Sequence, residues 1–272
     1  RRYQRSAGTV PNQWLRRRAG LDQTLSEGGR VSRTVLRPYA RAGIAVLAAT
    51  ILTSAAQAQF VPGGSHRMEA GGGFEYAQPI GDFRLNVSHG FGGAGHFIFG
   101  IDPDAVIGIR IDAGFINYGN DTQYVPFSSS VRRIIVQEKT SNNIFVGSIG
   151  PQLTLPIGRV RPYVNAGIGL AYFYTQTALN TADASYQIAQ TTNYSDNSLL
   201  YTGGAGFNIP LSFAGENVTV DLGARYNSVN SARYLTKGDI ADDPNSQYGI
   251  IITPRQSAAN FVAYHLGVSV RF

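Results

Sequence analysis

The last eleven residues of the chain alternate between apolar side chains and small or polar ones. The apolar positions are Val262, Tyr264, Leu266, Val268, Val270 and Phe272. The positions between them are Ala263, His265, Gly267, Ser269 and Arg271. Because successive side chains of a β-strand point to opposite faces, this period of two predicts a strand with one apolar and one polar face. The strand is expected to run to the final residue.

The same alternation recurs along most of the chain after residue 58. Ile107, Ile109 and Ile111, for example, are separated by single small or charged residues. Including the closing segment, the pattern predicts eight strands. They cover residues 68–77, 90–101, 105–118, 143–155, 161–174, 198–210, 217–229 and 259–272.

The predicted connections alternate between short and long. The short ones are 102–104, 156–160 and 211–216, the long ones are 119–142, 175–197 and 230–258, and 78–89 is intermediate. Short turns on one rim and long loops on the other are typical of transmembrane barrels. Strand edges cannot stay open in lipid, so the strands must close on themselves. We therefore expect an all-β protein, a closed antiparallel eight-stranded transmembrane β-barrel with solvated, mobile long loops.

A secretory signal peptide is predicted at residues 33–58. Three arginines precede an uncharged apolar run at 42–52, and the small-residue site Ala56-Gln57-Ala58 follows it. The run is too short to span a bilayer as a helix. Cleavage after Ala58 would leave the barrel domain at 59–272. Residues 1–32 are expected to be an upstream extension that is disordered or absent in the mature protein.

The basic character of the chain belongs to the predicted leader. Residues 1–58 carry a net charge of +8, and the whole chain carries +6, so the remainder carries −2. We therefore expect no nucleic-acid partner. The chain contains no Cys, which excludes disulfides. No apolar run of roughly 18 residues follows Ala58, which argues against an α-helical membrane protein.

The polar faces of the predicted strands carry charges of both signs. An eight-stranded barrel has an interior just wide enough for side chains to fill it. Since a lone buried ion is unfavourable, we expect the charges to pair and to block the lumen. The alternative is a narrow pore in which Arg110 and Arg225 set the selectivity. The predicted lumen cluster is Glu75, Arg110, Asp112, Asp221, Arg225 and Arg271, with Glu69 on the same faces.

From Met68 to Phe272 the chain resembles the small eight-stranded outer-membrane barrels of the opacity-protein and OmpA/OmpX type. The resemblance rests on the terminal strand ending in Phe272, on the glycine-rich stretch 90–96, and on residues 101–103 and 108–112. It implies export to the cell outer membrane and contact with outer-membrane lipid. It also implies that the barrel-assembly machinery recognises the C-terminal strand through Tyr264, Leu266, Val268, Val270 and Phe272. The pattern departs from that of OmpA, since we expect no peptidoglycan-binding domain after the barrel.

Three functions remain open from the sequence. The first is a structural or surface-interaction role, without enzymatic activity, through long loops whose ligand is unknown. The second is a small passive, porin-like pore. The third is an enzyme that modifies lipid A, for which Ser88-His89 beside the outer rim is the only candidate pair, without a recognisable triad.

Neither cofactor nor metal is expected. The glycine-rich stretches lack the G-K-[ST] ending of a phosphate loop, and no Cys or clustered His provides a transition-metal site. The acidic segment 239–243 lacks an EF-hand pattern.

Some finer expectations concern single residues. Pro151 is expected to produce a bulge or to end the fourth strand. His265 is expected to be a hydrogen-bonded filler of the lumen. The tyrosines near strand ends are expected to form interfacial girdles. They are Tyr76, Tyr118, Tyr172, Tyr174, Tyr226 and Tyr264.

Overall fold

The structure is a computed structural model that describes residues 67–102, 105–128, 133–155, 157–211, 217–243 and 249–272. The predicted upstream extension and signal peptide lie outside the described residues.

Eight long antiparallel strands form a closed barrel, which confirms the predicted fold class. They are β1 (Met68–Pro79), β2 (Gly90–Gly100), β3 (Ile107–Pro126), β4 (Ile135–Thr154), β5 (Arg161–Thr181), β6 (Gln187–Pro210), β7 (Val218–Val229) and β12 (Phe261–Arg271). Around the barrel they follow one another in the order β1-β12-β7-β6-β5-β4-β3-β2. A short helix, α1 (Asp82–Asn86), follows β1. Four short strands lie between β7 and β12, namely β8 (Ala232–Tyr234), β9 (Ile240–Asp242), β10 (Ile250–Ile252) and β11 (Arg255–Ser257).

The barrel closes between its first and last strands. The backbone N–H of Met68 donates to the carbonyl of Phe272 at 3.1 Å, and the N–H of Phe272 donates back at 2.9 Å. The pairing continues from Glu69 opposite Arg271 to Pro79 opposite Phe261. This closure satisfies the backbone groups that would otherwise form an edge in lipid. The start of β1 and the end of β12 both lie at the rim that carries the short turns, called here the short-turn rim. The opposite rim is called the hairpin rim.

Four strands are longer than predicted. The pairing of β3 with β4 runs on from Gly119 opposite Asn142 to Pro126 opposite Ile135. The pairing of β5 with β6 similarly continues to Asn180 opposite Gln187. The predicted loops 119–142 and 175–197 are therefore mostly strand. The alternation of apolar residues stops at the barrel rim because both faces are polar beyond it, but backbone pairing does not need apolar side chains. We call residues 119–126, 135–142, 175–181 and 187–199 the protruding sheet.

The third predicted loop, 230–258, also contains secondary structure. Strands β8 and β11 pair with each other, and β9 pairs with β10. The connection 78–89, which was predicted to be of intermediate length, contains α1. These small elements lie at the hairpin rim, where they pack into the barrel mouth as described below.

Pro151 does not interrupt β4, so the predicted bulge or strand end is wrong. Pairing with β3 includes Pro151 opposite Ile109. Pairing with β5 is lost at residues 150 and 151, then resumes in the same register with Gln152 opposite Asn165. The proline lacks an N–H, and its cost is confined to this local gap in the ladder.

The exterior of the barrel is apolar. Its outward side chains include exposed Phe, Ile, Leu and Val residues on every long strand, while many polar side chains are buried inside. This inverted arrangement is that of a barrel surrounded by lipid. Representative outward residues are Phe74, Phe97, Ile109, Ile149, Leu170, Phe207, Leu222 and Leu266.

Tyrosines flank the apolar exterior, with one exception. Tyr76 stacks on Tyr264 with ring centroids 6.3 Å apart, and Tyr172 stacks on Tyr174 at 5.3 Å. Tyr118, in contrast, is buried inside the barrel, so its predicted place in the girdle is wrong. It lies on the inward phase of β3, next to the buried Ile116.

Candidate functional site

The barrel interior is filled by two layers of different chemistry. The layer towards the short-turn rim consists of charged and polar side chains and is called here the lumen network. The layer towards the hairpin rim consists of aromatic and aliphatic side chains. Its centre is the aromatic plug, defined as Phe83, Tyr118, Phe173 and Tyr234. The candidate site is this filled interior, because it decides whether anything can pass through the barrel.

Asp112 joins two arginines at the centre of the lumen network. Its Oδ1 accepts from Arg110 Nε at 2.8 Å and from Arg225 Nη2 at 2.6 Å. Arg110 also donates to Gln152 Oε1 at 2.9 Å, and its guanidinium lies 5.5 Å from the ring centroid of Tyr163. All these groups are buried. The ion pairs therefore connect β3 with β7 across the lumen, and the further contacts of Arg110 reach Gln152 on β4 and Tyr163 on β5.

Asp221 is held by a tyrosine and two histidines. The Tyr163 hydroxyl donates to Asp221 Oδ1 at 2.7 Å, and His265 Nε2 lies 3.2 Å from the same oxygen. Tyr163 and His265 are themselves 2.9 Å apart. His96 Nδ1 approaches Asp221 Oδ2 at 3.8 Å. His265 thus fills the lumen as a hydrogen-bonded side chain.

A separate pair lies near the short-turn rim. Arg271 Nε donates to Glu69 Oε2 at 2.7 Å, and Asn208 Nδ2 donates to Glu69 Oε1 at 3.2 Å. His96 Nε2 stands 3.6 Å from Glu69 Oε1. Because Arg271 lies on the closing strand and Glu69 on the first, this pair joins the two strands whose meeting completes the barrel.

Glu75 lies above these pairs, opposite His265 in the register of β1 and β12. It is only 3 % exposed. It lines a central cavity together with His96, Arg225 and His265. The cavity has room for about one water molecule. The lumen therefore contains no wide water-filled passage along the described strands.

Two glycines leave room for the rings of Tyr163 and His265 in the lumen network. A Cβ on Gly223 would lie 2.5 Å from His265 Cε1 and 2.8 Å from the Tyr163 hydroxyl. A Cβ on Gly206 would meet the same tyrosine at 2.5 Å. A larger residue at either position would displace Tyr163 from Asp221.

All six residues of the predicted lumen cluster face the interior. The structure brings Arg110, Asp112 and Arg225 into direct contact, places Asp221 and Glu75 around the adjacent cavity, and sets Arg271 apart with Glu69. The predicted cluster did not include His96, Tyr163, Gln152 and Asn208. Each lies on the inward phase of its strand, so the alternation could have identified them.

The aromatic plug closes the hairpin end of the interior. Phe83 from α1 packs edge-on against Tyr234 at 5.1 Å, Tyr118 at 5.8 Å and Phe173 at 6.3 Å between ring centroids. The Tyr118 hydroxyl donates to the carbonyl of Leu235 at 3.1 Å. Aliphatic side chains surround the rings. They include Ile116, Ile144, Leu200 and Val229, and Phe261 completes the layer.

A polar network outside the barrel holds the plug in place. Arg255 donates to both oxygens of Asp239 at 3.0 and 3.1 Å and to Asn86 Oδ1 at 2.8 Å. Asn86 in turn donates to the Tyr234 hydroxyl at 3.1 Å. Burial acts to raise the pKa of the Asp239 carboxyl, but hydrogen bonds from Arg255 and Thr236 outweigh it and set the pKa below its ordinary value. The network fixes α1 and the 230–258 segment together.

Other sites receive little support from the part of the chain that the structure describes. No group of three or more His, Asp or Glu side chains is placed to hold a metal ion there. None of its helices is long and apolar enough to cross a membrane. Ser88 Oγ lies 3.0 Å from His89 Nδ1 on the exposed surface.

An eight-stranded barrel with an apolar exterior and a filled polar interior defines the class of small outer-membrane barrel proteins. The family model of the outer membrane protein beta-barrel domain matches residues 31–272, and the chain belongs to that family. The protein is thus a protein of the cell outer membrane. In that membrane, short turns face the periplasm and the longer connections face outwards. The hairpin rim and the protruding sheet are therefore extracellular.

Several solved structures are similar to this chain at low sequence identity. The chain is similar to neisserial surface protein A, with 12% identity over 75% of this chain and 97% of that one, at a TM-score of 0.41. It is similar to Ail, the attachment invasion locus protein of Yersinia pestis, with 14% identity over 75% and 97% and a TM-score of 0.39. It is also similar to OprG from Pseudomonas aeruginosa, with 14% identity over 75% and 95% and a TM-score of 0.41. No curated protein matches the sequence significantly.

Proposed function

We propose that the protein is a non-conducting barrel without enzymatic activity that presents the protruding sheet for contacts at the cell surface. The observation that carries this proposal is the double filling of the interior. Ion pairs occupy one layer and the aromatic plug occupies the other, and the central cavity has room for about one water molecule. A barrel filled in this way offers its external surface, and not its lumen, for function.

The protruding sheet has the features of an interaction surface. Tyr124 and Tyr186, near the tips of the two hairpins, are 62% and 69% exposed. Among the described residues, 119–126 of β3 pair only with β4, and 187–199 of β6 pair only with β5. Open strand edges present unpaired backbone groups to which another strand can bind.

The tip of the β5–β6 hairpin is well defined by its own hydrogen bonds. Asp183 accepts from the Thr181 hydroxyl at 2.5 Å, from the Ser185 hydroxyl at 2.8 Å and from the Ser185 N–H at 3.1 Å. These hydrogen bonds lower the pKa of Asp183 to about 2. A pre-formed tip lowers the entropic cost of binding a partner.

The pore and the lipid-A enzyme are less well supported. A selective pore would need Arg110 and Arg225 to face water, but both are buried against Asp112. An enzyme would need a carboxylate to orient His89. Within the described residues, the ring contacts of His89 are with Ser88 and with Phe91, whose centroid lies 5.2 Å away.

The proposal includes export and assembly. A signal peptide at 33–58 would direct export, and the closing strand β12 would present Tyr264, Leu266 and Phe272 to the barrel-assembly machinery. Tyr264 and Leu266 are exposed on the outer face of β12. N-terminal sequencing of the protein from outer membranes should start at Gln59. A mature protein that retains the apolar run at 42–52 would contradict this part.

Shortening a hairpin tests the surface role. Deleting residues 120–141 and joining the ends with a two-residue turn removes the β3–β4 part of the protruding sheet and leaves Tyr118 in the plug. Cells that display the intact protein are expected to adhere to immobilised extracellular-matrix proteins or to one another more than cells with the shortened form. Heat-modifiable migration in gels should be the same for both proteins, as a control for folding. Equal adhesion by the two types of cell would overturn the surface role.

A further inference from the structure

The centre of the lumen network has more carboxylates than cations. Glu75, Asp112 and Asp221 lie around the central cavity with only two guanidinium groups, those of Arg110 and Arg225. The fourth lumen carboxylate, Glu69, is bound to Arg271 at 2.7 Å. With both histidines neutral, the interior thus carries one uncompensated negative charge. Burying such a charge is strongly unfavourable, so a further positive charge is expected to accompany it.

Hydrogen bonding fixes one side of the His265 ring. The single hydroxyl hydrogen of Tyr163 is donated to Asp221. His265 Nε2, which faces both of these oxygens, must therefore carry a hydrogen. Nδ1 on the other side of the ring is buried and has no hydrogen-bond partner among the described residues.

One more unpartnered atom belongs to a side chain that lines the same cavity. Arg225 Nε is buried without a hydrogen-bond partner in the described part of the chain. His96 Nε2 has no partner within hydrogen-bond distance either, but it lies 3.6 Å from Glu69 Oε1. The side chains of Arg225 and His96 are each 6% exposed. Glu75 lines the same cavity, and the space holds about one water. A cavity lined by a carboxylate and by unpartnered nitrogens is a polar binding site and not a packing defect.

We propose that the central cavity binds one proton, carried by the buried Glu75 carboxyl group, and that this proton keeps the interior neutral. The bound proton balances the third carboxylate. The cavity is enclosed by β1, β2, β3, β7 and β12. The titratable groups that line it are Glu75, His96, Arg110, Asp112, Asp221, Arg225 and His265. Tyr163, Glu69 and Arg271 contact members of this set or one another from outside the cavity.

Proton binding makes the stability of the barrel depend on pH in a defined direction. Above about pH 7, the Glu and His side chains of an unfolded chain are mostly deprotonated. The folded barrel then holds one more proton than the unfolded chain. Stability must therefore fall as the pH rises, by up to about tenfold in the unfolding equilibrium constant per pH unit, until the folded site loses its proton.

Urea unfolding in detergent micelles between pH 7 and 8.5 tests the proposal. The unfolding equilibrium constant of the wild-type protein is expected to rise steeply with pH. Glu75→Gln leaves two carboxylates and two guanidinium groups around the cavity, so this variant is expected to show little pH dependence. Glu138→Gln on the extracellular part of β4 is the matched control, and it should keep the wild-type slope.

The wild-type protein also provides a readout that does not depend on a variant. The side-chain carboxyl ¹³C shift of Glu75 in the folded protein is expected to be that of a protonated carboxyl group at pH 7. A wild-type stability that is flat over this pH range, or a Glu75 carboxyl group that is ionised at pH 7, would overturn the proposal. So would a stability that follows the sodium concentration instead of pH, because the missing charge would then be a metal cation.

Discussion

The two layers of the interior close the same barrel by opposite means. The lumen network relies on a few directional contacts, such as the two guanidinium groups on Asp112. The aromatic plug relies on many non-directional contacts around Phe83 and Phe173. In the network, removal of one member leaves another member buried and charged. In the plug, removal of one ring leaves a cavity that its neighbours can partly fill.

The order of the layers also follows from their chemistry. Buried ion pairs are strong only where water is excluded. The aromatic plug lies between the lumen network and the extracellular side. We therefore expect the plug to protect the network from outside water, and the network to anchor the strands that carry the plug.

The largest expected effect is on the network. Arg225→Ala removes one of the two guanidinium groups from Asp112, and it should destabilise the barrel by about 3–5 kcal/mol. Urea titration of the protein in micelles measures the change. Arg233→Ala, which changes the one exposed residue of β8, serves as control and should cost less than about 0.5 kcal/mol. A cost below about 1 kcal/mol for Arg225→Ala would mean that water reaches Asp112.

Truncating one ring of the aromatic plug should destabilise the barrel somewhat less than Arg225→Ala does. Phe173 is fully buried, and Phe173→Ala should cost about 3 kcal/mol, at the low end for a core Phe, if the neighbouring rings of the plug partly fill the cavity that it leaves. Because the plug is expected to protect the network from water, the cost of the double mutant with Arg225→Ala should differ from the sum of the two single costs by more than about 0.5 kcal/mol. Additive costs would mean that the two layers are independent.

A tyrosine hydroxyl can be removed from each of the two layers separately. Tyr163→Phe removes the hydroxyl that donates to the Asp221 carboxylate and should cost about 1.5–3 kcal/mol. Tyr118→Phe removes the hydroxyl that donates to the neutral Leu235 carbonyl and should cost about 0.5–1.5 kcal/mol. Both variants are measured by the same unfolding titration. Equal costs, or the reverse order, would contradict the assignment of the two layers.

The smallest effect concerns the polar network above the plug. The pKa of Asp239 is lowered in the folded protein, so its contacts contribute stability above the unfolded-state pKa and lose it as the pH falls. Below about pH 4, amide hydrogen exchange in β8 and β11 should become faster. The change should stay below about 1 kcal/mol, because Arg255 is partly exposed. Asp239→Asn should remove this pH dependence.

The sequence predicted the lumen network better than the plug. Arg110 and Asp112 stand two residues apart among isoleucines, so the alternation itself assigns them to the interior. In the plug, the inward residues are also apolar. Around Ile116 and Phe173 both strand faces carry apolar or aromatic residues, and the period of two disappears.

Contacts between segments that are far apart in the chain could not be predicted from the sequence either. Phe83 reaches the plug from a five-residue helix, and Tyr234 reaches it from a three-residue strand. Neither element is long enough to show a periodicity. The extension of the four strands β3, β4, β5 and β6 into the protruding sheet could not be inferred either, because it depends on backbone pairing between polar segments.

The central claim is that the interior is closed along its length, and the conductance of the purified protein in planar bilayers tests it most directly. The account predicts no steady conductance for the wild-type protein at neutral pH, since both layers would have to open for ions to pass. Long-lived, ion-selective channels in the wild type, with a selectivity that changes in Arg225→Ala, would contradict the account and favour the pore.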